Sequence, residues 1–237
     1  MNLSFKVVAI GCVGACLMAS AAVAGPSQIK MTDTNAWNQP RQGGPFEVEP
    51  ISFDFTPQGM GQFGAGTGNF ISFCLEGNEF IDEGETYNVE FSTMAKDGGI
   101  GGGNPDPLDE RTAFLYDAFI KGQLDDKLAA FNGSVFTYEQ GASGSYLQGA
   151  IWFIEEEIDA VTGLAVDLVA MADAAVGVGG EWFGKGLGSV RVMNVYNTDG
   201  SHAQDQLVAI PLPIPAVLGL AGLIGVGVAR IRRRGLA

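Results

Sequence analysis

One thiol stands alone in the part of this 237-residue chain that reads as folded. Cys12 and Cys16 lie in the first 24 residues, which leaves Cys74 with no intrachain disulfide partner. It sits in Phe73-Cys74-Leu75-Glu76, apolar on both sides, where a free cysteine ordinarily acts as a small buried hydrophobe. Downstream, Leu147-Gln148-Gly149-Ala150-Ile151-Trp152 places a carboxamide at a helix start. Other chemistry-bearing patterns are weaker. Gly59-x-Gly61-x-x-Gly64 copies a dinucleotide fingerprint, but more glycines follow where a helix should open, so it reads as a loop. His202 is the single histidine, and sequence spacing gives it no zinc site and no His-based triad. Glu155-Glu156-Glu157 at a helix end reads as a solvated face in preference to a metal site. No metal ligands and no catalytic residues are therefore assigned.

The elements that must position Cys74 and Gln148 follow from periodicity. Residues 51–55, 69–75 and 86–93 alternate apolar and polar as half-buried strands do, with Tyr87, Val89 and Phe91 on one face of the third. After glycine-rich residues 98–103, Asp106-Pro107 reads as a helix cap followed by proline at the first helical position. Ala113, Tyr116 and Ile120 form the apolar stripe of that helix, and Lys121-Gly122 ends it. Ser143 or Ser145 caps a second helix running to about residue 158, and residues 164–176 form a third. Residues 190–196 and 206–210 read as closing strands. The expected fold class is α+β: a mostly antiparallel β part with a three-helix insertion. Residues 25–50, with four prolines, read as an extended lead-in, and 51–206 as the domain.

The two patches around Cys74 and Gln148 together resemble the bacterial thioester domain of surface adhesins. That family has an aromatic-Cys-aliphatic segment and, later, Gln-x-Ala-Ile/Val-Trp. Here Gln148 to Trp152 matches, with Leu147 where the family usually has Thr, and Tyr87 falls where it often has an aromatic. The resemblance covers parts of residues 75–160. It implies an internal thioester between the Cys74 sulfur and the Gln148 acyl group, formed with loss of ammonia. Phe73 and Trp152 would shield it from water. The implied role is a covalent tether to an amine-bearing surface or matrix partner, reacting once and thus not an enzyme, with no cofactor.

The two ends read as export and sorting signals. Lys6, an apolar stretch from 7 to 18 and Ala22-Val23-Ala24 form a secretory signal cleaved before Gly25. From Leu207 to Ala229 there are 23 residues without a charge, followed by Arg230, Arg232, Arg233 and Arg234. This is long enough for a membrane span with a cytoplasmic basic end, and it places the domain outside the cytoplasm. Residues 25–206 hold all 27 acidic residues and 8 of the 13 basic ones, a net −19 that repels nucleic acid. Pro211-Leu212-Pro213-Ile214-Pro215, the apolar helix and the arginines resemble a PEP-CTERM sorting signal of the Val-Pro-Leu-Pro-Ala type, over 207–237. That resemblance implies recognition by a membrane exosortase and links to the extracellular matrix or biofilm. Two alternatives stay open: a passive structural surface protein without a thioester, and an extracellular carboxylate-dependent hydrolase, for which no carboxylate pair stands out.

Overall fold

The computed structural model describes residues 27–32, 43–138 and 143–211. The order of elements is β1 (Ser27–Thr32), β2 (Phe46–Pro50), β3 (Phe70–Ser72), β4 (Thr86–Ser92), β5 (Met94–Ala95), β6 (Asp106–Pro107), α1 (Glu110–Ile120), α2 (Leu124–Asn132), α3 (Ser143–Ile154), α4 (Leu164–Val176), β7 (Val190–Tyr196) and β8 (His202–Ala209). The class is α+β. Six strands form one antiparallel sheet in the order β3-β2-β1-β4-β7-β8, and β5 pairs with β6. Among the described residues, no helix is long and apolar enough to cross a membrane.

The sheet curls until its first and last strands meet. Just beyond β3, Leu207 N–H donates to Phe73 O at 3.1 Å and Leu75 N–H to Asp205 O at 3.1 Å, with Cys74 bridged to Gln206 between them. Ser72 Oγ also donates to Leu207 O at 2.6 Å. These bonds cover an edge that would otherwise leave backbone groups unpaired. The alternation along β8 shows how the two faces are filled. Leu207 and Ala209 join the helix-side core with Ile71, Phe73, Leu115 and Ile151, whereas Val208 faces the other core with Ile29, Met31, Val48 and Tyr87.

Several expectations need correction. Residues 25–50 are no lead-in: they supply β1 and β2, and β1 lies inside the sheet between β2 and β4. Ile29 and Met31 are fully buried while Gln28 and Lys30 alternate with them, a period-2 signal only three residues deep. Residues 51–55 form no strand. Beyond Pro50, Phe53 and Phe55 leave the sheet and stack on each other and on Phe91. Asp106-Pro107 is β6 and not a helix start. The cap is Asp109, whose carboxylate accepts from Arg111 N–H at 2.7 Å. Among the described residues there are four helices and not three, because α2 buries only Leu124 and Leu128 and its polar sequence hides it. At the C-terminal end, Leu207, Val208 and Ala209 are buried in β8 and belong to the domain.

The acidic run is also not a solvated face. Glu155 and Glu157 are buried. The chain leaves α3 through Glu156 in a left-handed conformation (φ 64°), which turns Glu157 back under the glycine-rich loop. There the Glu157 carboxylate accepts backbone N–H groups from Gly77 (2.7 Å), Ile100 (3.1 and 3.0 Å) and Gly101 (3.4 Å). Glycine is required opposite it: Gly99 has φ +54°, and a Cβ there would stand 2.1 Å from Glu157 Oε1.

Candidate functional site

Cys74 and Gln148 are 74 residues apart in sequence and adjacent in space. Cys74 lies on the seam that closes the sheet. Gln148 projects to it from α3, which the Leu147, Ile151 and Ile154 stripe pins to the helix-side core. The carboxamide of Gln148 pairs with both backbone groups of Cys74: Cys74 N–H donates to Gln148 Oε1 at 3.0 Å, and Gln148 Nε2 donates to Cys74 O at 2.9 Å. Both residues are buried, Gln148 being 3% exposed. Cys74, two residues past β3, thus has its backbone bonded by a side chain, where a neighbouring strand would otherwise serve.

The thiol has polar company of its own. Gly44 N–H donates to Cys74 Sγ at 3.3 Å, Sγ donates to Gln204 Oε1 at 3.0 Å, and Gln206 Nε2 reaches Sγ at 3.5 Å. Burial pushes the thiol up to about 12, and the hydrogen bonds from Gln206 and Gly44 only partly offset it. The sulfur is therefore held neutral in the unreacted state. Gly44 is the close neighbour of both partners: a Cβ there would lie 2.9 Å from Gln148 Oε1 and 3.2 Å from Phe73 Cα.

The expected shielding residues divide. Phe73 turns into the helix-side core, edge-on to Phe119 at 5.2 Å and to Tyr116 at 6.4 Å. Trp152, one turn beyond Gln148, packs its ring on Gly43, where a Cβ would approach to 2.3 Å. A cavity of about 440 Å³ reaches Gln148 from this side, lined by Gly44, Tyr146, Trp152, Val161 and Ala165 among others. Trp152 is thus a wall of the approach to Gln148, and Phe73 a floor beneath Cys74.

A second constellation was not expected. His202, to which sequence spacing gives no ligand partners, opens β8 beside two carboxylates from distant loops. Its Nδ1 lies 3.4 Å from Glu79 Oε1 and 3.5 Å from Asp97 Oδ2, and its Nε2 lies 2.9 Å from Asp205 Oδ1. No local spacing in the sequence signals this, because the three groups come from three separate segments. Of the sorting motif, Pro211 is described and exposed. Leu212, Pro213, Pro215, Arg230, Arg232, Arg233, Arg234 and the signal segment 1–24 lie outside the described residues.

Fold and site together define an α+β domain whose curled sheet closes at a seam where the Gln148 carboxamide is bonded to the backbone of Cys74. No family model, no curated protein and no solved structure matches this chain.

Proposed function

We propose that this is an exported surface or matrix protein whose domain forms an internal Cys74–Gln148 thioester and attaches covalently to an amine. The observation that carries the reading is the two-point hydrogen bonding of the Gln148 carboxamide to Cys74. It holds the acyl carbon beside the residue that bears the thiol. Cys74 N–H on Oε1 is placed to polarise the carbonyl and to stabilise negative charge on that oxygen. Attack by Sγ forms the S–C bond and breaks the C–Nε2 bond, and the thiol proton leaves with nitrogen as ammonia.

The product is a stored electrophile kept from bulk water by burial. An amine entering through the cavity at Trp152 attacks the same carbon, forms an amide and returns a protonated Cys74. One turn of this sequence consumes the group, so the protein is a tether. Export and exosortase-dependent sorting at the envelope membrane are part of the proposal and rest on the sequence patterns of residues 1–24 and 207–237.

Intact-mass measurement of the purified chain tests the thioester. The expected result is a mass one ammonia below the sequence mass, which methylamine raises to one CH2 above it, with the label on Gln148 as N-methylglutamine and a newly alkylatable Cys74. A full sequence mass, with unmodified glutamine at 148 by peptide mapping and a thiol alkylated on unfolding, would leave the passive surface protein as the reading.

A further inference from the structure

The cleft at the start of β8 holds a set of groups that the tether chemistry does not use. We propose that Glu79, Asp97 and His202 bind one divalent transition-metal ion of the zinc type, with solvent in the remaining position. The three residues come from the loop after Cys74, the turn after β5 and the first residue of β8, and their ligand atoms all lie within 4.8 Å of one another.

The distances are those of ligands around an ion. A charge-assisted hydrogen bond from a ring nitrogen to a carboxylate is about 2.7–2.9 Å long, and His202 makes one such bond, from Nε2 to Asp205 at 2.9 Å. On its other side the carboxylate oxygens stand back at 3.4 and 3.5 Å. Ligand atoms about 2.1 Å from a tetrahedral zinc ion are about 3.4 Å apart. The spacing at Nδ1 thus matches two edges of a coordination tetrahedron.

The surrounding groups orient the ligands. Asp205 is fully buried and held by Val195 N–H (2.9 Å), Lys96 N–H (2.7 Å) and Asn194 Nδ2 (2.8 Å). A carboxylate fixed in this way holds the proton on the ring nitrogen it faces; against the cost of burial, Asp205 and Glu79 together favour the imidazolium, so a metal at the other nitrogen would displace the second proton. Asp97 is oriented likewise: Asn104 Nδ2 donates to its Oδ1 at 2.9 Å, which leaves Oδ2 for the cleft. The Tyr196 ring stands edge-on to His202 at 5.5 Å and limits its rotation.

A second, independent observation is a pair of buried carboxyl oxygens without donors. Glu76 is 2% exposed, and its carboxylate interacts with those of Asp205 and Glu79. One of its oxygens accepts from Asp205 N–H at 3.0 Å, and the other, Oε1, has no hydrogen-bond partner; Glu79 Oε2 is buried without one as well. Among the described residues, the ion pairs made by arginine and lysine reach none of these four carboxylates. Buried carboxyl oxygens without donors are costly, and a dication would add to the single imidazole that three carboxylates share. The cleft itself, about 390 Å³ bordered by Asn78 and the loop Gly98–Gly103, gives an ion access from solvent. One nitrogen and two carboxylates suit zinc-like ions better than calcium, which takes six to eight oxygens.

His202 is the only histidine in the chain, so its imidazole gives a single, unambiguous NMR signal. The test uses the full chain stripped with a chelator and titrated with Zn²⁺, followed by that signal and by calorimetry. The expected result is saturation at one equivalent with a shifted His202 resonance, at least tenfold weaker binding in Asp97→Asn and Glu79→Gln, and a melting temperature raised by zinc in the wild type only. Circular dichroism of the variants establishes that they are folded. Zinc that leaves the His202 signal unmoved, or binds equally to both variants, overturns the proposal. A site filled by calcium in preference to zinc overturns the coordination assigned to it, and a His202 that stays protonated with zinc in excess identifies a caged ion pair instead.

Discussion

The cleft at His202 opens β8 and the seam at Cys74 meets the middle of the same strand, at Gln204 and Gln206, yet the two treat their polar groups differently. At the seam, every polar atom of Cys74 has a partner, supplied by Gln148, Gly44, Gln204 and Gln206. At the cleft, three carboxylates gather around one imidazole, the Glu76 carboxyl lies against two of them, and two buried oxygens have no donor. The groups of Cys74 itself are answered, although the neighbouring Gln206 Oε1 has no hydrogen-bond partner. The cleft is complete only with something added. The difference teaches that burial alone does not mark a site: an answered polar group stabilises the fold, and an unanswered one points outward to a ligand.

The largest effect is expected from breaking the seam. Gln148→Ala removes the partners of both Cys74 backbone groups in a buried position. Two orphaned backbone groups cost roughly 2–5 kcal/mol, read as a lower denaturant midpoint with an unchanged slope. The same variant loses any ammonia deficit and any methylamine incorporation. A variant as stable as the wild type would show that α3 does not hold the seam.

Next comes the carboxylate that links α3 to the cleft. Glu157→Ala leaves the N–H groups of Gly77, Ile100 and Gly101 without their acceptor. Water can reach part of this loop, so the expected cost is smaller, about 2 kcal/mol. Amide hydrogen exchange should rise at those three positions and stay unchanged in β4 and β7. Exchange that rises throughout the sheet would mean that Glu157 supports the whole fold and not the loop.

A third effect appears only as pH changes. Burial, with the charge of Asp109 adding to it, raises the Glu155 carboxyl from 4.5 to about 8. Between those values the folded state holds a proton that the unfolded state has released. Stability on this account is full below about pH 4.5 and declines as pH rises through 8. Glu155→Gln, which mimics the protonated form, should flatten the decline across that window. The check is the chemical-denaturation midpoint of both proteins from mildly acidic to mildly alkaline pH. An unchanged slope would mean that Glu155 stays ionised in the fold.

How much of this was legible in the sequence differs between the two regions for a physical reason. The strands at 86–92 and 190–196 and the helix at 164–176 carry long apolar periods, and they form where the periods place them. Gln148 sits inside α3 and Cys74 in the apolar run just past β3, so patches of sequence carried them both. The cleft has no such carrier. Glu79 and Asp97 lie in loops without a period, and their distance from His202 is set by where β8 closes the sheet. The burial of Glu155 and Glu157 was equally invisible, since their partners are backbone N–H groups, including those of glycines, which no side-chain pattern encodes. β1 escaped because two buried residues among prolines make too short an alternation, and α2 because its exposed face dominates its composition.

The smallest expected effect is the one that separates the two regions most sharply. In the presence of a chelator, Asp97→Asn should change stability by no more than about 0.5 kcal/mol. Asp97 is nearly half exposed, and asparagine keeps an acceptor for Asn104. The substitution also removes one of three carboxylates in reach of His202, which relieves repulsion and offsets the loss of its attraction to the imidazolium. A near-zero effect without metal, beside a large one for Gln148→Ala, is what an arrangement poised for an absent cation should give. If Asp97→Asn instead destabilises the metal-free protein by several kcal/mol, the carboxylates and His202 form a structural ion pair that stands by itself, and the contrast between seam and cleft collapses into two versions of the same internal support.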